Sequence, residues 1–272
     1  MLPTIAIIGA GTMGEALIKG LLRDSITEAQ AIIATGPRAE RCEELRARYQ
    51  IRATQNNVEA AEEAKIVFLS VKPQVMPEVL EELRGHLQPE TLVFSIAAGV
   101  ALTTIQEHLE VDQIVRAMPN TPAQIGQGIT VWTATEAVTE AQRGYALTIL
   151  QAMGEQIYVK DEHYLDMSTA LSGTGPAYIY LFMEALIDAG VHLGFSRRVA
   201  KQLVQQTIIG SALYARESGL HLAELRNQVT SPGGTTAEAL YHIEKGGFRT
   251  VLSRAIWAAY VRSSQLGRGE ER

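Results

Sequence analysis

Short runs of apolar, β-branched residues alternate with segments of helical periodicity over the first 160 residues, and this alternation restricts the fold more than any other feature. The runs are typical of buried parallel strands: TIAII (4–8), AIIAT (31–35), IVFLSV (66–71), TLVFSIA (91–97) and QIVRAM (113–118). Helical segments lie between them, at 12–24, 38–49, 75–84 and 101–109. GITVWTAT (128–135) and EQIYVK (155–160) add two later strands around a helix near 139–152. The pattern predicts an α/β fold with a parallel-rich sheet and helices on both faces.

After Lys160 the strand-like runs stop, and residues 163–267 have a helical pattern interrupted by glycine. One helix is predicted to begin after the N-cap Ser196 and to end at Gly219. The stretch PAYIYLFMEALI (176–187) is apolar nearly all round, with Glu184 as its single charge, so that helix must be covered on every side. A second subunit could bury this helix, or the rest of its own domain could do so. We expect a homodimer formed through an all-α C-terminal domain, with domains at 1–160 and 161–272.

Charge and cysteine content narrow the class of protein. The 272 residues have a net charge of -6, which argues against non-specific nucleic-acid binding. The chain has a single cysteine, Cys42, and therefore no intrachain disulfide framework. No secretory signal is evident, and no apolar run has the length of a membrane span. We expect a soluble, cytoplasmic protein with no nucleic-acid or membrane partner.

A glycine pattern directly follows the first predicted strand. In IAIIGAGTMGEAL, Gly9, Gly11 and Gly14 form G-x-G-x-x-G between a strand and a helix. Gly9 allows a tight turn, Gly11 lets the backbone approach a pyrophosphate, and Gly14 lets helix and strand pack closely. This context predicts a Rossmann-type dinucleotide site, although a glycine turn made only for packing is the alternative. The predicted contacts of this loop are Ile8, Gly9, Ala10, Gly11, Thr12, Met13 and Gly14.

The end of the second strand, AIIATGPR, discriminates between cofactors. NAD sites usually place an acid about twenty residues past the loop, where it binds the ribose 2′-hydroxyl. No acid is present here; Thr35 can hydrogen-bond a 2′-phosphate and Arg38 can pair with it. We therefore predict NADPH as the cofactor, with NADH possible. The alternative for Arg38 is a solvated residue in the first turn of the next helix.

Further motifs carry a resemblance to a known family. They are SVKPQ (70–74), SIAAGV (95–100), RAMPNTPA (116–123), ALSGTGPAY (170–178) and VTSPGGTTAEAL (229–240). In this order and spacing they resemble the motifs of pyrroline-5-carboxylate reductases. β-Hydroxyacid dehydrogenases, which share the predicted architecture, carry a catalytic lysine on the long interdomain helix, and this chain has no lysine between Asp161 and Val199.

The resemblance implies an activity, an assembly and site residues. The reaction is the NAD(P)H-dependent reduction of the cyclic imine 1-pyrroline-5-carboxylate to L-proline, the last step of proline biosynthesis. Subunits pair through their helical domains, and five dimers often form a decamer. The substrate lies against the SPGGTT loop, and the family's glutamate before the long helix corresponds to Glu162. Besides the glycine loop, the implied cofactor contacts are Asn57, Val71, Lys72, Pro73 and Ala97.

The SPGGTT loop can also be interpreted locally. Gly233 and Gly234 can adopt positive φ and expose successive N–H groups to an anion, ahead of a helix N-terminus. Together with Ser231 they are predicted to hold the substrate carboxylate. Thr235 and Glu238 match a capping box, which makes Thr235 the N-cap and leaves the hydroxyl of Thr236 free. We predict that Thr236, the catalytic candidate, donates a hydrogen bond to the imine or amine nitrogen; the alternative is that both threonines only start a helix.

Other functions stay open at this stage. A reductase of another small imino or keto acid would share the fold, and a dinucleotide-sensing protein would keep the first glycine loop without needing SPGGTT. Glu162 could pair with the ring nitrogen or could be a capping or solvated residue. The six histidines have no ligand spacing with a third candidate, so no metal site is predicted.

Overall fold

A computed structural model describes residues 2–267 and contains one sheet of eight strands. The strands are β1 Ile5–Ile8, β2 Ile32–Thr35, β3 Arg52–Thr54, β4 Ile66–Leu69, β5 Leu92–Ser95, β6 Ile114–Met118, β7 Gly128–Ala134 and β8 Gly154–Tyr158. Their order across the sheet is β3-β2-β1-β4-β5-β6-β7-β8. Every neighbouring pair is parallel except β6 and β7, which are antiparallel. The predicted parallel-rich α/β fold is confirmed.

Among residues 2–267, seven helices end before the motif ALSGTGPAY, and five more begin within or after it. The first group is α1 Thr12–Arg23, α2 Ala39–Tyr49, α3 Asn57–Glu63, α4 Met76–Leu83, α5 Leu102–Leu109, α6 Glu140–Gln151 and α7 His163–Ser168. The second is α8 Gly175–His192, α9 Arg197–Ser218, α10 Leu222–Gln228, α11 Thr235–Lys245 and α12 Phe248–Gly267. A π-helical turn, Thr169–Gly173, joins α7 to α8. Short 3-10 turns lie at Ala29–Ala31, Pro73–Val75 and Thr121–Ile125.

Residues that alternate along β1 enter two separate hydrophobic cores. Ile5 and Ile7 pack into one cluster with Leu17 of α1. Ala6 packs into the other with Leu80 of α4. Because successive side chains of a strand point to opposite faces, the sheet is buried on both sides by helices. This is why the strand runs are apolar throughout instead of alternating.

One strand and one helix went unpredicted. β3 has three residues, Arg52–Thr54, of which only Ala53 is buried, so it forms no apolar run. It lies at the edge of the sheet beside β2. α3, Asn57–Glu63, is short and carries three acids among seven residues. The Asn56 side chain caps α3 by accepting a hydrogen bond from Glu59 N at 3.1 Å.

The predicted limits of the 22-residue helix α9 are confirmed by its end groups. Ser196 is the N-cap, and its side chain accepts a hydrogen bond from Val199 N at 3.4 Å. Gly219 ends the helix with φ 63°, the left-handed conformation that glycine adopts most readily.

The chain divides into two compact units. One is Ala177–Trp257, and the other is the rest of the described chain, including the sheet. The sequence-based division at residue 160 separated sheet from helices. The boundaries of the compact units differ from that division because two helical segments are joined to the sheet. Asp166 on α7 accepts hydrogen bonds from Arg116 on β6 at 3.4 Å and from Ser263 on α12 at 3.1 Å. Within residues 2–267, no helix has the length and apolar character of a membrane span.

An ion-pair cluster on Glu15 joins α1 to α2. The carboxylate accepts hydrogen bonds from Arg41 and Tyr49 and pairs with Arg48 at 2.9 Å. Burial raises the pKa of Glu15, but the hydrogen bonds from Tyr49 and Arg41 and the nearby positive charges outweigh it and lower the pKa from 4.5 to about 2. The cluster fixes α1, which follows the first glycine loop, against its neighbour.

This cluster should stabilise the fold in a defined pH range. Because the folded-state pKa is lowered, the stabilisation is complete above about pH 4.5 and is lost as the pH falls towards about 2. We expect Glu15→Gln to reduce the free energy of unfolding at pH 7 by about 1–2 kcal/mol after allowance for solvent screening, and to flatten its decline in acid. Urea unfolding between about pH 2 and pH 7 measures the free energy of unfolding of both proteins, with Glu107→Gln on the exposed face of α5 as the control. A parallel acid decline in wild type and Glu15→Gln would contradict the assignment.

Candidate active site

The first glycine loop has the backbone that its pattern predicts. Gly9 has φ 84°, and a Cβ there would lie 2.5 Å from Val71 Cγ1 and 3.2 Å from Val71 N. Gly11 is open, with its nearest neighbour, Gly9 O, 4.0 Å from a Cβ. A Cβ on Gly14 would meet Ile7 Cγ2 at 3.0 Å, so this glycine lets α1 approach β1 closely. The loop therefore leaves space at Gly11, in front of the N-terminus of α1, where an anion is favoured.

The predicted cofactor residues come together at one edge of the sheet. β1, β2, β4 and β5 are parallel, so their carboxyl ends meet at that edge. An open α/β sheet binds its ligand there. Lys72 is exposed and extended ahead of Pro73, at φ -66° and ψ 148°, which is consistent with a backbone role. The other predicted residues at this edge are Ile8, Gly9, Ala10, Gly11, Thr12, Met13, Gly14, Thr35, Arg38, Asn57, Val71 and Ala97.

The Thr35 hydroxyl supports the glycine loop. It accepts a hydrogen bond from Gly9 N at 3.3 Å and donates one to Asn57 Oδ1 at 2.6 Å. Asn57 Nδ2 in turn donates to Glu82 on α4 at 2.8 Å. Thr35 is buried, and its one hydroxyl proton is already used. This corrects the expectation that Thr35 is free to donate to a 2′-phosphate: its burial directs the hydroxyl inward.

Arg38 differs from Thr35 in being available to a ligand. It is the exposed N-cap residue of α2, and no carboxylate among residues 2–267 pairs with its guanidinium. The backbone of α2 adds free N–H groups beside it. A phosphate at this corner would therefore meet one unpaired cation and a helix N-terminus.

Removal of the Thr35 hydroxyl should weaken cofactor binding. Thr35→Val keeps the shape but leaves Gly9 N–H and Asn57 Oδ1 without their partner. We expect the Kd for NADPH, from a nicotinamide fluorescence titration, to rise by about tenfold, the effect of one or two lost hydrogen bonds. Thr35→Ser retains the hydroxyl and should bind NADPH like the wild type. Equal affinities for the valine and serine variants would show that the bridge has no role in binding.

The second glycine turn, SPGG before α11, lies in the other compact unit and matches its prediction in part. Gly233 has φ 68°, and its N–H has no partner among the described residues. Gly234 has φ -84°, and its N–H donates to Ser231 O at 3.0 Å. The expected pair of free glycine N–H groups is therefore reduced to one, because the turn itself uses the second. The free N–H groups of the first turn of α11 stand next to it.

The expected capping role of Thr235 is wrong. The N-cap of α11 is Gly234, with no side-chain cap, and Thr235 is already the first helical residue. The reason is that Gly234 adopts the extended conformation of an N-cap, at ψ 170°, one residue earlier than predicted. Both threonine hydroxyls are left without an intramolecular partner in the described structure. Thr235 is exposed and Thr236 is half-buried.

Glu162 occupies the N-cap position of α7, but its side chain makes no capping hydrogen bond to that helix. It precedes α7, and its Oε1 accepts hydrogen bonds from Leu102 N at 2.8 Å and from Arg116 Nη1 at 2.6 Å. Leu102 is the first residue of α5, the helix that follows β5 and the predicted cofactor contact Ala97. Glu162 thus lies at the same carboxyl edge of the sheet as the predicted cofactor residues.

Comparison with known proteins gives family matches that span both glycine turns. Residues 162–266 match a family model described as pyrroline-5-carboxylate reductase dimerisation, and residues 4–99 match one described as NADP oxidoreductase, coenzyme F420-dependent. Pyrroline-5-carboxylate reductases of Synechocystis sp. and Pseudomonas aeruginosa are 41% and 42% identical to the chain; the matches cover 97% of this chain and 98% and 97% of those proteins. A crystal structure of Plasmodium falciparum pyrroline carboxylate reductase with NADP bound has a TM-score of 0.90 and 33% identity, and the match covers 97% of this chain and 98% of that one.

The chain belongs to the pyrroline-5-carboxylate reductase family. The predicted resemblance is confirmed. The oxidoreductase model spans the first glycine loop and the residues after β4 and β5, while the dimerisation model spans Glu162 and the SPGG turn. This member of the pyrroline-5-carboxylate reductase family therefore contains a dimerisation domain.

One residue of this reductase-family site was not identified from the sequence. Arg116 was recognised only as a letter of the motif RAMPNTPA, yet it is buried on β6 and bonds Glu162 and Asp166. A charged residue inside an otherwise apolar strand was the signal that could have found it, because a buried arginine requires partners. In the described part of the chain, no group of three or more His, Cys, Asp or Glu side chains could hold a metal ion.

Proposed function

We propose that this chain reduces 1-pyrroline-5-carboxylate to L-proline with hydride from NADPH, NADH being the second choice. The observation that carries the proposal is the presence of both glycine turns in ligand-accepting form on a chain that matches pyrroline-5-carboxylate reductases over 97% of its length. A dinucleotide-sensing protein would need the first turn and not the second.

The residues at the carboxyl edge of the sheet fit a dinucleotide phosphate. The open backbone at Gly11 and the N-terminus of α1 suit the pyrophosphate, and the unpaired Arg38 suits a 2′-phosphate. The absence of an acid after β2 favours NADPH over NADH, because a carboxylate there would repel the 2′-phosphate. When bound, the cofactor supplies the hydride for the imine carbon.

The chain's own residues then hold the substrate and manage its proton. A protonated imine accepts hydride far better than a neutral one, so a carboxylate close to the ring nitrogen assists the reaction by stabilising its positive charge. Glu162 suits this role, since its Oε2 has no hydrogen-bond partner within residues 2–267. The substrate carboxylate would bind at the SPGG turn and the first turn of α11, which contain Ser231, Gly233, Gly234 and Thr235. The hydroxyl of Thr236 would donate to the ring nitrogen.

The assay that tests this function follows NADPH oxidation with pyrroline-5-carboxylate as substrate, by loss of nicotinamide absorbance. We expect turnover with this imine and a lower kcat/KM with piperideine-6-carboxylate, whose larger ring is the matched control. Preference for the larger ring would assign another small imino acid as substrate. Cofactor binding without turnover of any cyclic imine would favour a sensing role.

The proposed assembly is a homodimer through the helical domain, with five dimers in a decamer as a larger form. In Ala177–Trp257, Ala200 is the only residue classed as buried. Large apolar side chains are exposed along α8 and α9, among them Ile179, Leu181 and Leu203. Surfaces of this kind normally lie against another subunit.

We further propose a functional division at residue 160. Residues 1–160 would bind NADPH, and residues 161–272 would bind substrate and dimerise, as in the sequence-based expectation. The buried single thiol, Cys42, suits the reducing environment of the cytoplasm, where we place the activity.

A further inference from the structure

A buried arginine lies next to Glu162, the carboxylate proposed to face the ring nitrogen of the substrate. Arg116 is on β6, between Ser95 of β5 and Thr133 of β7 in the sheet register, and is 4% exposed. An arginine is rarely buried without paired acids, because removal of its charge from water is costly. Here the two acids come from α7, Glu162 and Asp166.

The two acids use the arginine differently. Asp166 Oδ1 lies 3.4 Å from Arg116 Nη2 and accepts a second hydrogen bond, at 3.1 Å, from the hydroxyl of buried Ser263 on α12. That arm joins α7, α12 and the sheet, and its two donors, Arg116 and Ser263, are buried. Asp166 therefore serves the packing of these elements.

Glu162 has a different arrangement of partners. Its Oε1 takes both donors, Arg116 Nη1 at 2.6 Å and Leu102 N at 2.8 Å. Its Oε2 has no hydrogen-bond partner among the described residues, and 28% of the side-chain surface is exposed. Two donors on one oxygen restrict rotation of the carboxylate, so the second oxygen is a free acceptor with a fixed direction.

We propose that Arg116 is a positioning residue of the reductase: with Leu102 N–H it holds Glu162 Oε1, so that Oε2 is presented to the ring nitrogen of the substrate. This inference rests on the proposed function. The guanidinium does not touch the substrate; it acts through Glu162. The planar fork of arginine is needed because it reaches two acids at once, which the single ammonium of lysine cannot do in the same geometry.

A double-mutant cycle separates positioning from packing. Arg116→Lys keeps the charge and should lower kcat/KM for pyrroline-5-carboxylate by about tenfold or more, as misplacement of a reacting group does. In a Glu162→Gln background the same change should add less than about twofold, because the residue that it positions is already lost. The Kd for NADPH should stay unchanged. Asp166→Asn, which removes the other acid, should lower resistance to urea with little effect on kcat/KM.

The second donor offers an independent test that does not disturb the arginine. Leu102→Pro removes the N–H that holds Glu162, at a first helical position where proline is tolerated and after an extended Ala101 at ψ 154°. Leu102→Ala removes the same side chain and keeps the N–H. We expect kcat/KM for the imine to fall several-fold further in the proline variant than in the alanine variant.

The outcomes distinguish the inference from the function on which it rests. An inactive wild type would reject both. If the wild type is active, either of two results would reject only the positioning role. In the first, Arg116→Lys lowers kcat/KM as much in the Glu162→Gln background as in the wild type. In the second, Asp166→Asn lowers kcat/KM as much as Arg116→Lys does. If Arg116→Lys does not fold, equal kcat/KM values for Leu102→Pro and Leu102→Ala would overturn the inference instead.

Discussion

Replacement of Gly9 by valine should abolish measurable NADPH binding and destabilise the sheet domain. Gly9 has φ 84°, and a Cβ there would lie 2.5 Å from Val71 Cγ1 and 3.2 Å from Val71 N. A β-branched residue is strained at this φ whatever space is available. The loop would have to move away from β4, and the N–H groups that we propose to bind the pyrophosphate would move with it. We expect the Kd for NADPH to rise by roughly a hundredfold or more.

Gly11→Ala is the matched control within the same loop. Gly11 has φ -76°, which alanine adopts, and a Cβ there meets nothing closer than 4.0 Å. This variant should unfold like the wild type in urea but bind NADPH more weakly, because the methyl group would occupy the space proposed for the ligand. Fluorescence titration and urea unfolding give the two readouts. A Gly9→Val protein with wild-type affinity would contradict a dinucleotide role for this loop.

Thr236→Val should lower kcat by roughly a hundredfold, the usual effect of losing one donor to a reacting group, while the Kd for NADPH changes little. Its hydroxyl has no intramolecular partner among the described residues, and it stands in the first turn of α11 beside the SPGG turn. Valine keeps the volume and the branching of threonine, so the helix should remain intact. Steady-state kinetics with pyrroline-5-carboxylate measure the effect.

The neighbouring threonine makes this prediction specific. Because Gly234 is the N-cap, the hydroxyl of Thr235 is available to a ligand as well as that of Thr236. The capping argument therefore no longer distinguishes the two threonines. Thr236→Ser should recover most of kcat, whereas Thr235→Val should raise KM for the imine more than it lowers kcat. A larger kcat loss in Thr235→Val than in Thr236→Val would transfer the catalytic role to Thr235.

The sheet could be predicted from the sequence where burial on both faces makes a strand continuously apolar. β1 and β4 are fully buried runs of this kind. β3 could not, because an edge strand of three residues with Arg52 and Thr54 half-buried carries no such signal. Its pairing with β2 comes from backbone hydrogen bonds, which side-chain patterns do not report.

The candidate site shows the same limit. The turn at Gly9 was predictable, since few residues other than glycine adopt its backbone conformation. The bridge from Thr35 to Asn57 and the pair Arg116–Glu162 join residues 22 and 46 positions apart, and no local pattern announces them. Thr235 was misplaced as a cap because helix ends vary by one or two residues and Gly234 serves equally well.

The lack of buried residues in Ala177–Trp257, apart from Ala200, links the folding of that unit to mass action. A chain segment that buries almost nothing by itself gains its hydrophobic stabilisation only when a second chain supplies the missing contacts. Under the proposed assembly, dilution that separates the subunits would therefore also unfold this unit. The stability of Ala177–Trp257 would rise with the number of chains that a cell makes, and inactive subunits mixed into the pool would still support the fold of active ones.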